Sequence, residues 1–93
     1  MFAIAFDLRL NETAAHHPVG LRQAYRDMEG VLHRHGFRRA QQSLFITDSA
    51  DFSGVFWVIS ELKALPWTRD CIKDIRAFRV ENWSDFTGFI QAP

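Results

Sequence analysis

Asp7 and Arg9 are the first side chains of the sequence that could do chemistry, and they stand close together in the N-terminal segment MFAIAFDLRL. A carboxylate can act as a general base or as a ligand for a divalent cation. A guanidinium can hold an anion through two parallel hydrogen bonds. A structural interpretation is also open, in which Asp7 is bonded to Arg9 or to a neighbouring strand. The local pattern alone does not decide between the two roles of Asp7.

The alternation of Met1–Leu10 predicts the strand that positions these side chains. Successive side chains of a strand point to opposite faces, so one set should face a core: Phe2, Ile4, Phe6, Leu8 and Leu10. The other face should carry Ala3, Ala5, Asp7 and Arg9. A carboxylate is unusual on a covered sheet face unless it is paired or used. We therefore expect this second face to be the working side of the sheet.

The composition is that of one folded domain, residues 1–93, with 47% hydrophobic residues. Eleven basic and eleven acidic residues cancel, so binding to nucleic acid would require local clustering of arginine. No apolar run approaches membrane-spanning length, and the N-terminus lacks the pattern of a signal peptide. The lone Cys71 cannot form an internal disulfide. These features predict a cytoplasmic protein that does not contact membranes.

The rest of the chain predicts a ferredoxin-like α+β fold. Asn11–Val19 lacks periodicity and is expected to be a loop, with His17 solvated. Helical spacing of apolar residues and Gly36 as a C-cap predict a helix over Gly20–His35. Later patterns predict, in order, two short strands within Phe37–Thr47, a helix from Phe52 to Leu62, a strand over Ile72–Glu81 and a short amphipathic segment over Trp83–Ile90. The order βαββαβ indicates an antiparallel sheet with two helices on one face.

The other face of this sheet would remain open and is predicted to form the interface of a two-fold dimer. The first strand would contribute Ala3 and Ala5 to it. The second short strand is expected to place Ser43, Phe45 and Thr47 on the same open face, so that Phe45 joins Ala3 and Ala5 in the predicted dimer interface.

Four stretches of the sequence together resemble one family, the virulence-associated protein D (VapD) family: MFAIAFDL, HPVGLRQAY, GFRRAQQSLF and KDIRAFRVENWSDFTGFI. The resemblance covers essentially the whole chain. The family is similar in fold to the small CRISPR-associated ferredoxin-like nuclease subunits. Those also have an aspartate at the end of the first strand and a glutamine-x-serine-hydrophobic-aromatic run on a later strand. The matching positions are Asp7, Gln41, Ser43, Leu44 and Phe45.

The resemblance implies an endoribonuclease that acts as a homodimer on RNA, a toxin beside a small antitoxin protein, with Asp7 as the leading catalytic residue. A two-fold dimer packed through the open face could bring two Asp7 carboxylates together to bind Mg²⁺ or another divalent cation, or to share a proton. Ser43 could donate a hydrogen bond to a phosphate oxygen. The side chains expected to bind substrate are Arg9, Arg38, Arg39, Gln41 and Arg79.

A second function class remains open, namely a dimeric binding or assembly subunit that keeps the fold and interface but cuts nothing. The neutral net charge favours this class, whereas the resemblance favours the nuclease. The surroundings of Asp7 discriminate between them. A groove lined by arginine that leads to Asp7 supports cleavage, whereas a sealed and salt-bridged Asp7 supports a structural role.

Overall fold

The computed structural model describes residues 1–93 and confirms the ferredoxin-like α+β architecture. Its strands form one antiparallel sheet in the order β2-β3-β1-β4. No helix is both long enough and apolar enough to cross a membrane. The elements in chain order are β1 (Phe2–Leu8), α1 (Leu10–His16), α2 (Leu21–Arg34), β2 (Arg38–Gln41), β3 (Leu44–Thr47), α3 (Ser53–Ala64), α4 (Thr68–Cys71), β4 (Ile72–Arg79) and α5 (Thr87–Gln91).

The core lies between the sheet and the two long helices, α2 and α3. From β1 it takes Ile4, Phe6 and Leu8, and it continues with Ala24, Met28, Val31 and Leu32 of α2 and Val55, Val58 and Leu62 of α3. Full burial of one such aliphatic or aromatic side chain contributes about 1.5–3 kcal/mol. The expected alternation in β1 is confirmed up to Leu8. Leu10 is instead 59% exposed, because the strand has ended and α1 begins at this residue.

The prediction of a loop over Asn11–Val19 is wrong for most of that segment, because α1 occupies Leu10–His16. Thr13 is fully buried, and its hydroxyl donates a hydrogen bond to the backbone carbonyl of Arg9 at 2.7 Å. The Arg9 backbone N–H in turn donates to the carbonyl of Cys71 at 2.8 Å. One buried threonine thus replaces the apolar stripe by which a helix is usually recognised.

The alternation predicted for β3 is confirmed, but the prediction that Phe45 lies on the open face is wrong. Phe45 pairs with Ile4 of β1, and Ile46 pairs with Ala3. Residues directly opposite each other in an antiparallel pair share a face, so Phe45 faces the helices and is 1% exposed. It therefore cannot contribute to an interface on the open face, where Leu44 and Ile46 lie instead.

On the open face of the sheet, Ala3 is less exposed than expected, whereas Phe78 is partly exposed to solvent. Ala3 lies on this face as predicted but is already fully buried within the chain, whereas Ala5 is half-buried. Phe78 of β4 pairs with Ala3 and is 44% exposed. Beyond β4, residues 81–93, here called the C-terminal arm, are all exposed.

His17 is buried and hydrogen-bonded, contrary to the expectation that it is solvated. Its Nε2 donates to the carboxylate of Asp27 at 2.7 Å, since Nδ1 accepts the backbone N–H groups of Val19 and Gly20 at 3.0 and 3.2 Å. Gln23 donates to the other oxygen of Asp27 at 2.9 Å. Partial burial by itself raises the pKa of Asp27, but the hydrogen bonds from Gln23 and His17 outweigh it and hold that pKa below its usual value.

Asp27→Asn is expected to lower the free energy of unfolding by about 1–2 kcal/mol at neutral pH, because an amide cannot accept from both donors. Because the folded pKa of Asp27 is lowered, its contribution is complete above the pKa of an unfolded aspartate and disappears as the pH falls through the folded value. Urea unfolding of both proteins between pH 7 and pH 3 checks this. A difference that stays constant down to pH 3 contradicts the assignment.

Candidate active site

A cleft of about 810 Å³ opens where β1 ends. It combines the end of β1 and the start of α1 with α2, the turn between β2 and β3, and the start of β4. The residues that line it are Asp7, Leu8, Arg9, Leu10, Tyr25, Gln42, Ser43 and Lys73. Three of the predicted site residues, Asp7, Arg9 and Ser43, are therefore brought together in one place.

Asp7 is an exposed carboxylate without a hydrogen-bond or ion-pair partner in its own chain. It is the last residue of β1 on the open face, and its cross-strand neighbour is Asp74 of β4. Asp74 already has a partner within the chain, because both of its carboxylate oxygens accept hydrogen bonds from Nε of Arg76, at 3.1 and 3.2 Å. The structural interpretation required Asp7 to be bonded to Arg9 or a neighbouring strand. The structure shows neither bond.

Ser43 is held beside the end of β1 by its backbone. Its carbonyl accepts the N–H of Phe6 at 3.0 Å, which ties the β2–β3 turn to β1. The Ser43 side chain is half-buried and lines the same cleft as Asp7. Since its hydroxyl makes no hydrogen bond within the chain, it is available to donate to an anion in the cleft.

Two cationic side chains complete the cleft, Arg9 and Lys73. The backbone of Arg9 is fixed at the start of α1, while its guanidinium has no acidic partner. Lys73 was missed by the sequence reasoning, and it also lacks an ion pair. The predicted fold could have indicated Lys73, because antiparallel pairing of β4 with β1 brings the start of β4 to the end of β1.

The remaining residues predicted to bind substrate do not line this cleft. Arg38 lies on the edge strand β2 and pairs with Asp48 at 2.8 Å, and Gln41 lines a groove beside the C-terminal arm. Its neighbour Gln42 takes the predicted place in the cleft. Arg79 pairs in register with Phe2. It is thus at the opposite end of the sheet, about 16 Å along the strand from Asp7.

Arg39 lies on the opposite side of β2 from Arg38, because neighbouring side chains of a strand alternate. Its guanidinium is 3.4 Å from a carboxylate oxygen of Glu29 on α2. Arg39 lines a second cleft, which shares Tyr25 and Gln42 with the first.

The carboxylates at this site offer a divalent cation a small set of ligands. Asp7 and Asp74 are cross-strand neighbours, but no group of three or more His, Cys, Asp or Glu side chains is close enough to hold a metal ion. Mg²⁺ often binds through one or two carboxylates and relies on substrate phosphates for the rest. The donor set therefore fits a cation shared with a bound phosphate, and within one chain only Asp7 is free to bind it.

These features define a ferredoxin-like protein with a free carboxylate, a hydroxyl and two cations in one open cleft, a set suited to acid–base chemistry on an anionic substrate. No family model matches the chain. It is 48% identical over 92 residues to the "Endoribonuclease VapD homolog" of Neisseria gonorrhoeae, covering 99% of this chain and 100% of the relative. Haemophilus influenzae "Endoribonuclease VapD" is 47% identical over 91 residues, covering 98% and 99%. The chain belongs to the VapD family, as its sequence motifs predicted.

A more distant relative extends the same match. The "Endoribonuclease VapD" of Helicobacter pylori is 32% identical over 94 residues and covers 99% of this chain and 100% of the relative. The matches span the whole chain, and therefore include every element that forms the Asp7 cleft.

Proposed function

We propose that this protein is an endoribonuclease and that Asp7 is its catalytic base. The observation that carries the proposal is the exposed, unpaired Asp7 carboxylate in a cleft with Arg9, Ser43 and Lys73. The names of the VapD relatives support the reaction class.

Each residue of the cleft has a separate role in the cleavage of a phosphodiester bond. Asp7 accepts the proton of the attacking hydroxyl, which is either the ribose 2′-OH or a water molecule. As the new P–O bond forms and the P–O5′ bond breaks, Arg9 and Lys73 stabilise the negative charge on the non-bridging oxygens, and the departing O5′ takes a proton from solvent. Ser43 donates a hydrogen bond to one of these oxygens. A 2′,3′-cyclic phosphate on the product shows attack by the 2′-OH, and a plain terminal phosphate without a cyclic intermediate shows attack by water.

Alternatively, the Asp7 carboxylate binds a divalent cation such as Mg²⁺ instead of acting as a base. When bound, it would stabilise the charge that develops on phosphorus. Asp7 would hold it together with an RNA phosphate, and Asp74 would join only after releasing Arg76. Cleavage assays with and without EDTA separate the two roles, because a base needs no cation.

The test of the function is cleavage of a labelled RNA by the purified protein and by Asp7→Asn. We expect the wild type to cut and the variant to be nearly inactive. If neither protein cuts any RNA while both are folded, the binding or assembly subunit becomes the better interpretation. Equal cutting by both places the activity elsewhere or in a contaminant.

We also propose that the protein is a homodimer packed through the open face of the sheet. Two apolar surfaces of the chain are exposed to solvent. The first is the open face around Leu44 and Phe78. The second is the C-terminal arm, in which Phe86, Phe89 and Ile90 are 66%, 79% and 76% exposed. A second copy supplies the complement of each surface. Because Asp7 lies on the same face, this packing would bring the Asp7 carboxylates of the two protomers towards each other.

Finally, we propose that the protein acts in the cytoplasm and is inhibited by a small antitoxin protein. Three aromatic side chains on the helical side, Phe52, Phe56 and Trp57, are 55%, 63% and 62% exposed. Aromatic side chains are common anchors of protein interfaces. This patch lies away from the open face, so the dimer leaves it free for a different partner.

Co-expression with any short protein that is encoded beside this gene tests the antitoxin proposal. We expect the two proteins to co-purify and RNA cleavage to stop. Trp57→Ser should weaken the complex about 10-fold or more, since a buried interface tryptophan commonly contributes at least 2 kcal/mol. A complex with unchanged affinity in Trp57→Ser removes the patch from the proposal.

A further inference from the structure

A second cleft of about 660 Å³ adjoins the Asp7 cleft. It lies between α2 and the edge of the sheet at β2. Tyr25 and Gln42 line both clefts and form their common border. The residues of the second cleft are Leu21, Arg22, Tyr25, Arg26, Glu29, Arg39, Gln42 and Phe45.

The charges of this cleft are not balanced within the chain. Arg22 and Arg26 are exposed and stand four residues apart on one face of α2, and neither forms an ion pair. Like charges at this spacing destabilise a helix. The only carboxylate of the cleft, Glu29, is near Arg39. An anionic ligand would relieve the repulsion between Arg22 and Arg26.

The two clefts together concentrate positive charge in a chain whose net charge is zero. Their cations are Arg9, Arg22, Arg26, Arg39 and Lys73, and their carboxylates are Asp7 and Glu29. This is the local clustering of arginine that nucleic-acid binding requires in a neutral protein.

Tyr25 adds an aromatic surface at the border. It is half-buried, and its ring centroid lies 6.0 Å from that of Phe6 at an angle of 36°. The contact with Phe6 supports one part of the ring. RNA-binding proteins stack unpaired bases on such aromatic side chains, which a base inside a duplex cannot reach.

We propose that the second cleft binds the RNA strand next to the cleaved bond, and that the substrate is single-stranded there. Arg22 and Arg26 bind backbone phosphates, and Tyr25 stacks on a base between these phosphates and Asp7. The strand thereby runs from α2 across Tyr25 into the Asp7 cleft. This inference rests on the proposed function, because it takes the ligand of the Asp7 cleft to be RNA.

The test measures binding and cleavage separately. Binding of a labelled single-stranded RNA is measured in the Asp7→Asn protein with and without Arg22→Ala and Arg26→Ala. We expect the double substitution to weaken binding about 10- to 100-fold and to lower the slope of log K against log salt by about 1.4, since each single-strand phosphate contact contributes about 0.7. In the cleaving protein the same pair should raise KM with little change in kcat.

Three controls fix the interpretation. Arg69→Ala removes another exposed arginine, on α4, and should leave the affinity and the salt slope unchanged. Tyr25→Leu should weaken binding, whereas Tyr25→Phe, which keeps the ring, should not. Urea unfolding should show that Arg22→Ala with Arg26→Ala does not destabilise the chain, because the arginines repel each other.

The outcomes also separate this inference from the proposed function. Arginine-dependent binding of RNA by a wild type that does not cut supports the second cleft and rejects the nuclease. Cleavage with unchanged affinity and salt slope in the double variant overturns the second cleft alone. Failure of the Asp7→Asn protein to bind RNA also overturns it, and equal affinity for a duplex of the same sequence overturns the single-strand requirement.

Discussion

Asp7→Asn is expected to lower kcat for RNA cleavage by about 10²- to 10⁴-fold, the usual contribution of a positioned general base. Asparagine has nearly the shape of aspartate but cannot accept a proton at neutral pH. Asp7 is exposed and makes no hydrogen bond within the chain, so its replacement removes no stabilising contact. Single-turnover cleavage of a labelled RNA measures the effect directly.

Asp74→Asn is the matched control, because Asp74 is the cross-strand neighbour of Asp7 and is already bound to Arg76. We expect it to retain most of the activity in EDTA. Loss of activity to the same extent in both variants, together with loss in EDTA, would instead indicate a shared cation. Full activity of Asp7→Asn would remove Asp7 from the mechanism altogether.

The double variant Phe86→Ser and Phe89→Ser should dissociate the dimer. Full burial of one phenylalanine contributes about 1.5–3 kcal/mol, and each tenfold change in affinity corresponds to about 1.4 kcal/mol. Because each substitution occurs in both protomers of a two-fold dimer, four phenylalanines are lost, and the dissociation constant should rise about 10⁴-fold or more. Sedimentation velocity across a dilution series measures it.

Phe56→Ser is the control for this variant, because Phe56 is exposed to a similar degree but lies on α3 at the helical side. We expect it to leave the dimer intact. Because the arm residues are exposed in the single chain, the double variant should keep its secondary structure. A dimer of unchanged affinity would show that the arm is not part of the interface.

The order of elements could be predicted because each long element carries its own periodicity. The alternation of β1 and the apolar stripe of α2 each mark a buried face, and the structure confirms both. α1 could not be predicted in this way, because its burial depends on Thr13 and on a hydrogen bond between Arg9 and Cys71, which are far apart in sequence.

The face to which β3 points was decided by the tertiary structure. Both parities of SLFIT contain large apolar residues, so the alternation alone could not assign its faces. Pairing of Phe45 with Ile4 set the register, and a shift by one residue would have turned every side chain of β3 to the opposite face.

The sequence by itself determined the fold class, the family and the position of Asp7 at the end of the first strand, because each depends on patterns within single elements and on the order of those elements along the chain. Only the tertiary structure decided which side chains of other elements accompany Asp7. Arg79, predicted for the site, is carried to the far end of the sheet, whereas Lys73 and Tyr25 arrive from β4 and α2. The physical reason is that strand pairing and helix packing, rather than closeness in sequence, set the distances between side chains of different elements.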